Sequence, residues 1–584
     1  MKMNNKNKKT PICAGRSVHP RSQRTGGVLA FSLASLFGSP LVSAQTPPDA
    51  GAVRQQIEQQ RRNPLPAGSS SQFEPPPPAM DSIGGTTVTV SQFRFVGNTL
   101  IANDELAAAV AGFVGRPIDF AGLQNAAIAV ATAYREAGWV VRAYLPKQEI
   151  TDDTVVIQVV EAKFGATRVE GETARTSVAR LKRMVERQQK PGAALSAAAL
   201  DRSLLLIGDL PGVNATGRLA VGVNQAETDL VLDVIDGPLV NGTFTADNAG
   251  SRFTGAARIV ATASLNSRLG IGDRADALLL HSDGNDYVSL AYSLPVGVAG
   301  WRVGAKASHL DYDIVTREFK ALDAHGASNT VGFETTYPLL RTRLTNLYFT
   351  LNADANRFEN SSGGVTTTDY EVQSATAGLY GNRYDRLWGG GATTASVLFT
   401  EGDVDLSGSP NQLVDSLTTR TEGSFQKVNF ALSRLQVVNE SLSLFASLTG
   451  QTASRNLDSS EKMYLGGSQA VRAYPENEAG GSEGMMANFE ARSPLTQSIT
   501  LISFIDWGKV RVNKDNDISG AAPKNDLSLT GMGVSIGWAA RFGVNLKGTY
   551  ARRLGDNPNP TSNGNDQDGT LKENRFWMQA SMSF

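Results

Sequence analysis
The sequence predicts a transmembrane β-barrel of about 16 antiparallel strands. Two small α+β units, an N-terminal helix and a proline-rich linker precede it. Three observations lead there. Helical spacing ends at Pro238, and the remaining 347 residues alternate apolar and polar side chains in segments of about ten, separated by Gly, Asn, Asp and Ser clusters. The first 44 residues read as an export signal. Outside them, no stretch approaches the ~20 uncharged apolar residues of a spanning helix.

The export signal has three parts. Residues 1–25 carry Lys2, Lys6, Lys8, Lys9, Arg16, Arg21 and Arg24 and no acid. Val28 to Phe37 is apolar, and Val42-Ser43-Ala44 supplies small residues for cleavage after Ala44. Of the 55 basic groups, 48 remain after cleavage against 56 acids, a net charge of −8. Such a balance lacks the clustered basic charge on which nucleic-acid affinity rests, so no nucleic-acid partner is expected. The single cysteine, Cys13, lies in the signal. The mature chain is therefore expected to form no disulfide and no thiolate metal site, and no cofactor is expected.

Residues 45–62 are expected to form the N-terminal helix, with Asp49 as its cap. Val53 and Ile57 are its only larger apolar residues, so it should bury little. It is either a tail or a movable element that docks elsewhere, a possible barrel plug. Residues 63–85, with Pro64, Pro66 and Pro75–Pro78, form an extended linker.

Residues 86–164 alternate strand and helix patterns. Val88, Val90, Phe93 and Phe95 are extended, Glu105–Phe113 and Leu123–Ala137 are helical, and Val140–Leu145 and Val155–Val160 are strands. Residues 165–237 repeat the order. A strand at Arg168-Val169 runs to Gly171, Thr176–Gln189 and Ser196–Ile207 are helices, and Leu219–Val223 and Asp229–Val234 are strands. Both units read β-α-α-β-β. In the helix at 176–189, Val178, Leu181 and Val185 are expected to point inward. Arg180, Arg183 and Arg187 then make either a solvated face or a contact for an acidic or extended partner.

Residues 238–584 form the barrel. Leu347, Phe349, Leu351 and Ala353 alternate with Thr350, Asn352 and Asp354. Phe576, Met578, Ala580, Met582 and Phe584 alternate with Trp577, Gln579, Ser581 and Ser583. Trp301, Trp388, Trp507, Trp538 and Trp577 are compatible with interfacial girdles. The alternative is a soluble β-sandwich. The export signal, the cysteine-free mature chain and the apolar end at Phe584 favour the barrel.

Enzyme motifs fail. Gly533-Val-Ser-Ile-Gly537 matches a nucleophile elbow, but its context is a strand and no His follows it. Gly270-Ile-Gly-Asp-Arg-Ala275 resembles a dinucleotide loop without the helix. His281, His309 and His325 lack metal-ligand spacing. No enzyme activity is expected.

Three motifs carry a family resemblance: Glu461-Lys-Met-Tyr-Leu-Gly-Gly-Ser-Gln-Ala-Val-Arg-Ala-Tyr-Pro475, Phe504-Ile-Asp-Trp-Gly508 and Asp247-Asn-Ala-Gly-Ser-Arg-Phe-Thr-Gly255. Together they resemble the outer-membrane transporters of two-partner secretion (TpsB). That family is a branch of the outer-membrane assembly factors with polypeptide-transport-associated (POTRA) domains. Tyr134-Arg-Glu-Ala-Gly138-Trp139 and Leu145-Pro146 resemble the first POTRA unit. The resemblance spans nearly the whole mature chain.

It implies that an outer loop folds back into the lumen. Gly466-Gly467 would lead to a tip of Val471, Arg472, Ala473 and Tyr474. Asp506, with Phe504 and Gly508, would face Arg472 from the wall. Phe504, Asp506 and Gly508 share one face of a strand, and Ile505 and Trp507 the other. A charge facing lipid is costly, so Asp506 is expected in the lumen. The family commonly has Gly where Ala473 stands, so this tip is expected to form without a positive φ. Val141-Arg-Ala-Tyr144 repeats the tetrapeptide without the Gly-Gly lead-in and is discounted.

By the same resemblance, the POTRA units would lie in the periplasm and the barrel in outer-membrane lipid. The chain would recognise an unfolded exoprotein, in the family a large β-helical adhesin or haemolysin. It would translocate this cargo to the cell surface without nucleotide hydrolysis. The main alternative is a general β-barrel assembly factor, which shares the POTRA units and the Arg loop. A passive porin leaves the two periplasmic units unexplained.

Overall fold
A computed structural model describes residues 47–61, 87–171, 173–224, 226–518, 521 and 524–584. The export signal at 1–44 and the linker at 63–85 lie outside the described residues. Six α-helices are present among them: α1 (Ala50–Gln60), α2 (Asn103–Val110), α3 (Phe120–Glu136), α4 (Val178–Gln188), α5 (Ala197–Gly208) and α6 (Gln412–Leu417).

The first small unit pairs Thr154–Glu161 in parallel with Gln92–Val96 and antiparallel with Val141–Tyr144. Strand alternation puts Val155, Ile157 and Val159 into the core, where α3 contributes Ala127, Val130 and Tyr134. The Asp119 carboxylate accepts from Gly122 N at 2.8 Å and caps α3. Glu161 accepts from Thr99 N (2.7 Å), Leu100 N (2.8 Å) and the Tyr134 hydroxyl (2.8 Å). Burial alone would raise its pKa, but these bonds hold it below the usual carboxylate range.

The second unit repeats the topology. Glu227–Asp236 pairs in parallel with Lys163–Glu170 and antiparallel with Val213–Val221. Two readings need correction. Val178 is 44% exposed, because it is the first residue after the Ser177 cap; Leu181, Met184 and Val185 face the core instead. The strand expected at Leu219–Val223 runs Val213–Val221, and Val223 stands exposed beyond it. Gly217 masked its alternation. That glycine lets Leu204 close on the sheet, since a Cβ there would sit 2.8 Å from Leu204 Cδ2.

Sixteen antiparallel strands then close a barrel, each paired with its chain neighbour. The last, Asn574–Ser583, pairs with the first, Val240–Asp247. Outward residues are apolar: Phe349, Leu351 and Ala353 on one strand, Phe576, Met578 and Met582 on another. Many inward residues are polar and bond one another across strands, and others form inward ion pairs such as Lys306 with Asp354 at 2.9 Å. Thr330 bonds Asn356 (2.9 Å), Asn346 bonds Asn382 (2.9 Å) and Asn429 bonds Gln451 (2.8 Å). Ser535 of the G-x-S-x-G segment is buried in a strand and bonds Thr549 at 2.8 Å. Helical structure does return after Pro238: α6 sits in the loop between the strands Gly391–Asp405 and Gly423–Asn439.

The second unit docks on the turns at one end of the barrel. Arg341 forks onto Asp209 at 2.8 and 2.9 Å, and Arg343 pairs with Asp201 at 2.6 Å. Arg180 donates to the Gly297 carbonyl at 2.7 Å. Segments 454–482 and 554–573 lie at the opposite end.

Helix α1 lies inside the barrel, with neighbours from strands on several sides. Asp49 caps it by accepting from Ala52 N, and also accepts from Ser459 Oγ, both at 2.8 Å. Ala50 N donates to Asn360 Oδ1 (2.8 Å), and Tyr287 donates to Glu58 (3.0 Å). Ala50, Val53 and Ile57 join a buried cluster with Phe358, Tyr370 and Phe425. The helix therefore buries much more than its two larger apolar residues suggest; Gln56 is buried as well.

Candidate functional site at the seated loop
Between the strands Leu442–Ala453 and Glu483–Pro494, the chain leaves the wall, enters the lumen and returns. Gly466 and Gly467 turn it, at φ 84° and 108°. A Cβ on Gly466 would meet the Pro475 carbonyl oxygen at 2.3 Å, and one on Gly467 would meet the Glu476 carboxylate at 2.1 Å. Only glycine fits either place. Ala473 is not among the positive-φ residues, so the tip turn forms without that requirement, as expected.

Arg472 is 5% exposed and Asp506 fully buried. Arg472 Nη2 donates to Asp506 Oδ1 at 2.6 Å and Nε to Oδ2 at 2.8 Å. This is a bidentate, charge-assisted pair. The Arg472 amide adds a third bond to Oδ2 at 3.1 Å. The ring of Phe504 lies 3.4 Å from the guanidinium carbon. Gly508 is flush with the wall because Leu465 of the loop occupies its space; a Cβ there would come within 2.8 Å of it. Val471, Ala473 and Tyr474 pack into a buried cluster with Phe504 and Leu529. The structure thus brings together all six loop residues and all three wall residues singled out in the sequence. Ile505 and Trp507 point outward.

Three more residues hold the tip. Glu490 accepts from Arg472 Nη1 at 2.9 Å and pairs with Arg492 at 2.7 Å. Asn488 donates to Asp506 Oδ1 at 2.9 Å and to the Ala470 carbonyl at 3.2 Å. Trp577 Nε1 donates to the Arg472 carbonyl at 2.8 Å. Trp577 therefore faces the lumen and does not belong to an interfacial girdle. Its signal was present in the sequence: it is the one aromatic on a polar face with Gln579, Ser581 and Ser583. Asn488 and Glu490 had a weaker signal, two polar residues at period 2 in the strand before Phe504–Gly508. Their match to Asp506 depends on register, Asn488 opposite Asp506 and Glu490 opposite Phe504.

The arginines of α4 divide. Arg180 is committed to the barrel turn, whereas Arg183 and Arg187 are exposed.

A lumen holding a pinned loop and a helix, with the second of two small units docked at one mouth, defines an outer-membrane barrel transporter with periplasmic domains. A family model described as haemolysin secretion/activation protein ShlB/FhaC/HecB matches residues 226–539. One for the POTRA domain, ShlB-type, matches residues 88–162. The first covers more than half of the chain, and the chain belongs to that family. The heme/hemopexin transporter protein HuxB of Haemophilus influenzae is 26% identical over 93% of this chain and 96% of its own. The outer membrane transporter CdiB of Dickeya dadantii is 22% identical over 89% and 94%. Among solved structures, CdiB from Escherichia coli aligns with a TM-score of 0.66 at 19% identity, covering 91% of this chain and 95% of that one. BamA from Haemophilus ducreyi, lacking POTRA domains 1–3, aligns at 0.52 and 14% identity, covering 85% and 100%. These structural likenesses speak for the fold. The chain is a two-partner secretion transporter of the outer membrane, with its POTRA units in the periplasm and a secreted protein as its partner.

Proposed function
We propose that the described arrangement is the resting state of the transporter, closed by one removable element and narrowed by one fixed element. Residues 45–62 act as a plug on the tether at 63–85, and the 454–482 loop narrows the lumen beside it. Residues 1–44 are the export signal that brings the chain to the periplasm. An unfolded exoprotein adds as a strand to exposed POTRA sheet edges, where backbone bonds give affinity and side chains give selectivity. The exposed Arg183 and Arg187 offer it further contacts. It then threads the lumen once the plug leaves. Arg472 and Asp506 keep the loop seated, so the wall is ready-formed when cargo arrives. Movement is driven by folding of the cargo at the cell surface, with no nucleotide hydrolysis. The family's large β-helical adhesins and haemolysins set the expected cargo class.

The observation that carries this reading is α1 in the lumen, bonded to Asn360, Tyr287 and Ser459. The test is conductance in a planar lipid bilayer. Deleting residues 45–62 should raise the mean single-channel conductance and its open fraction. Equal conductance with and without them would contradict the plug.

A further inference from the structure
Where the second POTRA unit meets the barrel, a cavity of about 220 Å³ opens. Arg180 and Met184 of α4 and Leu206 of α5 line one side. Arg302, Thr336 and Tyr348 of three adjacent strands line the other. Strand register places these three on the lumen face. Arg302 lies opposite Thr336, Thr336 lies opposite Thr350, and Tyr348 follows two residues from Thr350. The Tyr348 ring stacks on Tyr380 at 5.2 Å. The cavity therefore opens on the threshold of the lumen, with Trp301 of the outer wall face at its far edge.

Two donors here have no acceptor among the described residues: the Tyr348 hydroxyl, on a side chain only 8% exposed, and Arg180 Nε. Arg302, in contrast, is committed to the Gly272 carbonyl and Ser293. Buried donors without partners are uncommon and costly, so two at one cavity mark a place for an acceptor. The volume is below the ~300 Å³ at which small-molecule pockets begin. It suits one side chain and the peptide group beside it, and Met184 and Leu206 make its floor apolar.

We infer that this cavity holds one apolar side chain of the extended exoprotein as it crosses from the POTRA units into the lumen. A main-chain carbonyl of the exoprotein accepts from Tyr348 and Arg180. The inference rests on the secretion reading. An acyl chain of a lipid is the rival occupant, and the lumen-facing side of the cavity favours the polypeptide.

The test is photocrosslinking in secreting cells. A benzophenone amino acid replaces Thr336 and, in a second strain, Thr376, an inward residue of the wall that bonds Thr400 at 2.8 Å. Adducts are identified by mass spectrometry. The expected result is peptides from the exoprotein that disappears from the medium when this gene is deleted, at both positions. Lipid alone or no adduct at 336, with exoprotein at 376, would overturn the cavity proposal and leave the transporter reading intact. No polypeptide at either position would overturn both. Tyr348→Phe keeps the stack and removes only the hydroxyl. It should slow appearance of the exoprotein about five-fold at unchanged barrel level. An unchanged rate would overturn the carbonyl contact.

Discussion

Gly531 of the barrel wall lies directly under Ala473 of the loop tip: a methyl group on Gly531 would stand 2.5 Å from the Ala473 methyl. Ala473 is fully buried. The tip accepts alanine because the wall opposite carries no side chain. Gly531→Ala should loosen the seated loop by about 1–3 kcal/mol, as overpacking does. Ala473→Gly in the same chain should recover most of that loss. Limited proteolysis within 454–482 reads both, and a Gly531→Ala loop as resistant as the parent would contradict the contact.

Arg472 has two carboxylate partners of unequal importance. Asp506 takes three of its bonds and Glu490 one. Asp506→Ala strands a buried guanidinium and should cost about 3–5 kcal/mol. Glu490→Gln leaves the bidentate pair and should cost about 1.5–3 kcal/mol. The shift in the temperature at which the barrel loses its compact gel mobility should keep that order. The reverse order would show that Glu490 is the main anchor.

Trp577→Phe removes one donor to the Arg472 carbonyl and should cost about 1 kcal/mol. Because Trp577 faces the lumen, the substitution should leave quenching of tryptophan emission by brominated lipids unchanged apart from a uniform loss of intensity. A selective loss of the lipid-quenched fraction would place it on the outer wall.

Glu161 links stability of the first POTRA unit to pH. Its folded pKa is below the ordinary value of 4.5. It therefore contributes stability that is present above that value and lost as pH falls through the folded pKa. Hydrogen exchange of the Thr99 and Leu100 amides should speed up relative to α3 amides from about pH 4.5 downward. Glu161→Gln should flatten that dependence. A variant with the parent's pH profile would assign the effect to another group.

The barrel was legible because its strands alternate at period 2 with an apolar outer face, a rule each segment carries by itself. The tip and wall motifs were legible as words in the chain. Three things were not. The seat of α1 depends on partners some 230–410 residues away, Tyr287, Asn360 and Ser459. Glu490 and Trp577 reach Arg472 from two strands whose placement is fixed by barrel closure and register, neither of which a single strand's pattern encodes. Arg180 looked like its neighbours on α4, and only docking against the Gly297 turn separates it from them.

The most direct test of the account compares the culture medium of cells carrying the parent chain, no chain, or Arg472→Ala, by mass spectrometry. One large exoprotein should vanish without the chain, return with the parent and fail to return in normal amount with Arg472→Ala, while the other outer-membrane proteins stay at their usual levels. An unchanged medium together with broad depletion of outer-membrane barrels would contradict it and make this chain a general assembly factor.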